Sequence, residues 1–149
     1  MHLSVVVVDP RVGSKVLMSL FWDSGMKFGC AVNCIDGRTQ IPVIEWMRNN
    51  ANVDFVDMIT EPGIVRLFES EDAFEKILEK VMVSVKNHGS DFIAVVAHHD
   101  CAGNPVGREE QIEQLKMSVE MLKRSIENAV VVGLWVNENL EVEVVVELR

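Results

Sequence analysis

A chain of 149 residues suits one domain built on one hydrophobic core. Its 23 acidic residues against 14 basic ones give a net charge of −9, which excludes the basic face that phosphate neutralisation needs and so excludes a nucleic-acid partner. No apolar run approaches the roughly 20 residues that span a bilayer, so no membrane association is expected. The 3 cysteines make a poor disulfide framework and point to a reducing cytoplasm.

The first 25 residues stand apart. "SVVVV" has the composition of a short strand, Pro10 breaks it, and "SKVLMSLFW" has the apolar content of one or two helical turns. "LSVVVVDP" lacks the basic flank and cleavage site of a signal peptide. Two readings stay open: residues 1–25 as an N-terminal arm or extension before a domain of residues 26–149, or "SVVVV" as an integral edge strand.

From Met26 the pattern alternates strand and helix. "FGCAVNC" is a nearly continuous apolar run, as a strand buried on both faces requires. "IPVIEWMRNN" reads as a helix with Pro42 in its first turn, and "VDFVDMIT" as a second strand. Ser70 caps a long helix whose first turn carries Glu71 and Asp72, where negative charge suits the helix dipole. Phe74, Ile77, Leu78, Val81 and Val85 form its apolar stripe, and Gly89 is its natural stop.

"FIAVVA" reads as a third strand. A helix from Arg108 to Asn128 follows, with Ile112, Leu115, Val119, Leu122 and Ile126 on one face. "AVVVGLWV" is a fourth strand, and "NENLE" turns the chain into "VEVVVEL", a fifth strand antiparallel to the fourth. The expected fold is α/β: a mostly parallel sheet of four to five strands flanked by helices.

Two short stretches carry chemistry. "CIDGR" (Cys34–Arg38) follows the first core strand, and "AHHDCAG" (Ala97–Gly103) follows the third. Taken alone, each reads equally as a metal half-site, a redox thiol or an ordinary loop. In an open α/β sheet, however, sites form beyond the carboxyl ends of the strands. If these two strands are neighbours, Cys34, His98 and Cys101 converge. Two thiolates and one imidazole are a good zinc set, and three protein ligands leave a fourth position open. No G-x-G-x-x-G or P-loop sequence supports a nucleotide binder.

The joint pattern, C-x-D-x-R at one strand end and H-x-x-C with a glycine at another, resembles the β-class carbonic anhydrases from Met26 to the C-terminus. "VVGLWVNENLEVE" resembles that family's closing strand–turn–strand. The resemblance implies Cys34, His98 and Cys101 as zinc ligands, with Asp36 and Arg38 as a catalytic dyad. It implies reversible hydration of carbon dioxide to bicarbonate by a zinc-bound hydroxide that donates a hydrogen bond to Asp36. In some members at rest the equivalent aspartate is a fourth zinc ligand, and the arginine holds it away. A homodimer or larger homo-oligomer is implied as well.

The sequence also departs from that family. At most 25 residues are available for the N-terminal helices that embrace a second subunit. "ITEPGI" (Ile59–Ile64) stands where an "RNAGN"-like pocket segment is common, and only Gly63 of it survives. His99 occupies the place of a small residue, and "AGNP" replaces a double glycine. These changes spare the ligands and the dyad but alter the pocket. They keep two rivals in view: a hydrolase of carbon disulfide or carbonyl sulfide, and a non-catalytic zinc-binding or interaction protein.

Among the remaining residues, Cys30 reads as core filler, because a free cysteine packs as a small hydrophobe. Asp100 reads as a cap for the loop or helix that follows, His88 as an exposed helix end, and Glu61 as part of a surface turn. Trp46 and Trp135 read as packing or subunit-contact residues. His99 is open between a hydrogen-bonding neighbour of the ligands, a proton relay and a surface residue, with a non-catalytic role preferred.

Overall fold

The computed structural model describes residues 25–149. Apart from Gly25, the reading of residues 1–25 as an arm or an edge strand lies outside the described residues.

The chain runs β1 (Phe28–Cys34), α1 (Gly37–Asn50), β2 (Phe55–Glu61), α2 (Ile64–Leu67), α3 (Glu71–His88), β3 (Phe92–His98), α4 (Arg108–Ser125), β4 (Val130–Val136) and β5 (Val142–Leu148). The strands form one sheet in the order β2-β1-β3-β4-β5. β1 is parallel to β2 and β3, β3 is parallel to β4, and only β5 is antiparallel to its neighbour. This is the expected α/β architecture. Among the described residues no helix is long and apolar enough to cross a membrane.

Burial explains the strand sequences. Every residue of β1 is buried, and β3 and β4 are buried in all but their first residue. β2 and β5 are edge strands and stay half exposed. One face of the sheet packs Ala31, Ala94, Val96 and Leu134 against Val43 and Met47 of α1. The other packs Val32, Val95 and Val131 beneath α2, α3 and α4, through residues such as Val65, Val81 and Val119. Cys30 belongs to this second core at zero exposure, and burial first of all pushes its thiol up to about 12. It is a packed, inert thiol, as its apolar setting predicts.

Three local expectations need correction. α1 begins at Gly37, four residues before Ile41, because Asp36 caps it by accepting the Arg38 backbone N–H at 2.9 Å. Pro42 therefore lies inside the helix, where its missing N–H leaves the Arg38 carbonyl without the usual i→i−4 partner. α4 ends at Ser125, because Ile126 leaves helical geometry and buries its side chain in the core. The single-turn helix α2 carried no sequence signal, since four residues are too few to show a period. Ser70 and Gly89 bound α3 as expected: the serine accepts from the Ala73 N–H, and the glycine adopts φ 69°.

Gly133 of β4 lies directly against side chains of α4 and β5. A Cβ there would stand 2.8 Å from Val146 Cγ1, 3.1 Å from Leu115 Cγ and 3.2 Å from Val119 Cγ2. Gly133→Ala is expected to destabilise the fold by about 1–3 kcal/mol through overpacking. Gly37→Ala, with nothing within 4 Å of the new methyl, is expected to be neutral or to stabilise by up to about 1 kcal/mol. Urea denaturation of both variants checks the contrast.

Candidate metal centre

The strand order reverses direction between β1 and β3: β1 leads outward to β2, whereas β3 leads the other way to β4. Such a switch point opens a crevice at the carboxyl ends of the two strands. Cys34 is the last residue of β1 and His98 the last of β3. Cys101 follows in a short loop. One ligand atom from each of these three residues lies within 4.8 Å of the others, and all three side chains are buried. Among the described residues this is the only such group.

The geometry suits a metal ion. The two sulfurs are 3.8 Å apart. Two thiolates on a tetrahedral zinc, each about 2.3 Å from the ion, would be roughly 3.8 Å apart. His98 donates from Nδ1 to the His99 carbonyl at 2.8 Å, which leaves Nε2 as the bare nitrogen. That Nε2 is buried and makes no well-formed hydrogen bond of its own. A buried acceptor beside two thiols, with its other nitrogen fixed by a carbonyl, is what a metal-binding imidazole requires.

Electrostatics prepare the same centre. Burial opposes ionisation of Cys34, but His98 and the backbone N–H groups of Asp36 and Gly63 outweigh it and bring the thiol down to about 7. The Gly63 N–H stands 3.4 Å from the sulfur. Cys101 moves the other way, raised by burial and then by the neighbouring Cys34 thiolate. For His98, burial disfavours the cation, yet Cys34 and the His99 carbonyl prevail and raise its pKa. The lowered thiol and the raised imidazole thus favour a proton on His98, which a metal ion bound there would have to displace.

Asp36 and Arg38 meet as a fork. Arg38 donates from Nε to Oδ1 at 3.0 Å and from Nη2 to Oδ2 at 2.7 Å. The guanidinium holds the Asp36 carboxyl down at about 2. Arg38 Nη2 also donates to the Asp100 carbonyl at 3.1 Å, and Nη1 lies 3.6 Å from the Asp100 carboxylate. Asp100, at φ 53°, is thus a second partner of Arg38 and caps nothing; α4 starts at Arg108 behind Gly107. The Asp36 carboxylate is not among the converging ligand atoms.

Several supporting residues escaped the sequence. Buried Asn33 accepts from the Cys34 N–H at 2.8 Å and from Thr39 Oγ1 at 3.1 Å. Gln40 donates to the Cys34 carbonyl at 2.7 Å and to the Asp36 carbonyl at 2.9 Å. Together they fix the corner between β1 and α1. An apolar-pattern reading cannot find them, because each is a short-range polar contact across the strand-to-helix turn.

Glycines bring the two loops together. Gly63, at φ 57°, and Gly103 touch through their backbones, and a Cβ on Gly63 would lie 2.5 Å from the Gly103 carbonyl carbon. Gly103 in turn would meet the Gly63 nitrogen at 2.6 Å.

His99 serves through its backbone: its carbonyl orients His98, and its N–H bonds the Val136 carbonyl at 2.9 Å. Its ring is exposed on a depression of about 190 Å3 shared with Arg38, His98, Asn137, Glu138 and Leu140. Glu61 is no surface turn but the last residue of β2, in register with Cys34, and its carboxylate pairs with Lys80 at 3.0 Å. His88 is not a free helix end; it bonds Asp57 at 2.6 Å, and its ring lies 4.4 Å from that of Phe28. Trp135 is buried in the sheet under Arg108, and Trp46 packs near Phe92.

Comparison with known proteins gives the family and the fold. The family model described as "Putative carbonic anhydrase" matches residues 24–146. The fold is similar to a carbonic anhydrase from Glaciozyma antarctica, with TM-score 0.54 and 17% identity over 89% of this chain and 93% of the other. It is similar to one from Streptococcus mutans, with TM-score 0.55 and 15% identity over 89% and 92%. It is also similar to a tetrameric beta-carbonic anhydrase from Sordaria macrospora, with TM-score 0.56 and 9% identity over 89% and 87%. No curated protein sequence matches.

The thiol pair makes the metal-free centre testable by titration. As pH rises, one thiolate is expected to form near pH 7, because Cys34 is the lowered member. The second thiol of the pair and Cys30 should ionise only above the ordinary cysteine range. Ultraviolet thiolate absorbance follows the steps; all three thiols titrating together at the ordinary value would contradict them.

Proposed function

Because the chain belongs to the carbonic anhydrase family and carries the fold of its β class, we propose that it binds zinc through Cys34, His98 and Cys101 and catalyses the reversible hydration of carbon dioxide to bicarbonate. The observation that carries this reading is the convergence of two buried thiols and a bare imidazole nitrogen beside an Arg-held aspartate. Zinc, when bound, supplies a Lewis acid that lowers the pKa of water.

The chain's own residues do the remainder. With its carboxyl held at about 2, Asp36 is too weak a base to take a proton at neutral pH. It acts as a hydrogen-bond acceptor only, and so orients an attacking water by fixing one of its hydrogens. Arg38 keeps that carboxylate ionised and in one rotamer; its tie to the Asp100 carbonyl keeps the fork from swinging. Water adds through oxygen to the carbon of carbon dioxide, one carbon–oxygen π pair moves onto oxygen, and one proton leaves for bulk solvent. The depression beside Arg38 and His98 offers the way in and out. The exposed edges β2 and β5, together with the tetrameric relative, support assembly into a homo-oligomer.

Stopped-flow measurement of carbon dioxide hydration tests the reading. The zinc-loaded protein should exceed the buffer rate, and a chelator should abolish the excess. Asp36→Asn should keep one zinc per chain and lose about 100-fold or more of the rate. Full zinc occupancy with no rate above buffer would instead identify a metal-binding protein that has kept the fold.

A further inference from the structure

The loop that carries Cys101 is gripped from behind by a polar chain. Asn104, 1% exposed, donates from Nδ2 to Gln114 Oε1 at 2.7 Å. Gln114 of α4 donates from Nε2 to Glu69 Oε1 at 3.2 Å. The carboxylate at the outer end only accepts, so it fixes the direction of both amides. Gln111 adds a longer bond, 3.4 Å, to the Val106 carbonyl of the same loop. The N-terminal half of α4 therefore buries Gln111 and Gln114 where the sequence pattern points only to Ile112 and Leu115.

Asn104 stands between the two thiol loops. Its backbone N–H closes the turn onto the Cys101 carbonyl at 3.3 Å. Its Cβ is 2.8 Å from where a Cβ on Gly63 would be, and the Gly63 N–H points at the Cys34 sulfur. Its Oδ1 is buried without a partner. A leucine of similar size would fill the place without the orphaned Oδ1, at the cost of the bond to Gln114, so packing alone does not account for an asparagine here.

We infer that the Asn104–Gln114–Glu69 chain sets the spacing of the two thiol ligands, with Gln114 as the positioning residue. The inference rests on the reading of Cys34, His98 and Cys101 as metal ligands, and it assigns a purpose to "AGNP", the sequence's departure from a double glycine.

A charge swap tests it, with zinc affinity measured by chelator competition and the visible spectrum of the Co2+-loaded protein as readouts. Gln114→Glu sets two carboxylates against each other and is expected to weaken zinc binding about ten-fold or more. Combining it with Glu69→Gln restores an acceptor toward Asn104 and a donor from residue 69. That double variant should return to within about three-fold of wild type and recover the cobalt spectrum. Asn104→Leu, which removes the anchor while filling its space, should fold and bind zinc more weakly; it decides the matter alone if Gln114→Glu does not fold. Wild-type affinity and spectrum in the folded single variants, or a double variant no better than Gln114→Glu, would overturn the inference. A wild-type protein that binds neither ion would overturn it together with the metal reading. Zinc binding that responds as expected without carbon dioxide hydration would support it and count only against the catalytic reading.

Discussion

Two cysteine sulfurs held 3.8 Å apart in a buried place resist ionising together, and much of the structure around them answers that constraint. The first negative charge is met by His98 and by the Gly63 N–H, so one thiol of the pair ionises readily while its neighbour is held back. The loops come close enough only because Gly63 and Gly103 have no side chains to separate them. A divalent cation held there would relieve the remaining repulsion, which would make metal affinity and loop geometry two views of one balance.

The parallel sheet gives this arrangement its rigidity. β1 and β3 pair directly, and the crossovers leave their carboxyl ends open at the switch point. Asp36 then works twice. As the N-cap of α1 it ends the turn after Cys34, and as the partner of Arg38 it presents a fixed carboxylate beside the ligands. Helix initiation and site construction are therefore one event: whatever disturbs the cap moves the dyad.

Much of this was legible in the sequence, for physical reasons. Strands buried on both faces show as apolar runs, so β1, β3 and β4 could be read directly, and the serine and glycine at the ends of α3 marked its limits. The convergence of Cys34, His98 and Cys101 was legible because both segments follow strands whose carboxyl ends meet in a parallel sheet. Other features were hidden. Asp36 reads in the sequence as a chemical group, and its second role as the cap of α1 shows only in the fold. Asp100 faces Arg38 through its backbone carbonyl, a contact to which no side-chain pattern points. The buried Asn104 and Gln114 look like ordinary surface polar residues; only the folded chain reveals the loop against which they turn.

His99 shows the same limit from the other side. The sequence leaves its ring open between several roles with a non-catalytic one preferred, and in the fold its carbonyl is what fixes His98 Nδ1, a carbonyl that any residue could supply.

X-ray absorption at the zinc edge of the metal-loaded protein probes the heart of this picture, an open centre with two sulfurs and one imidazole. Two sulfur scatterers at about 2.3 Å with one imidazole nitrogen and a further light atom at about 2.0–2.1 Å are the predicted shell. A third thiolate sulfur, which only Cys30 could supply within the chain, or a shell without sulfur, would contradict it.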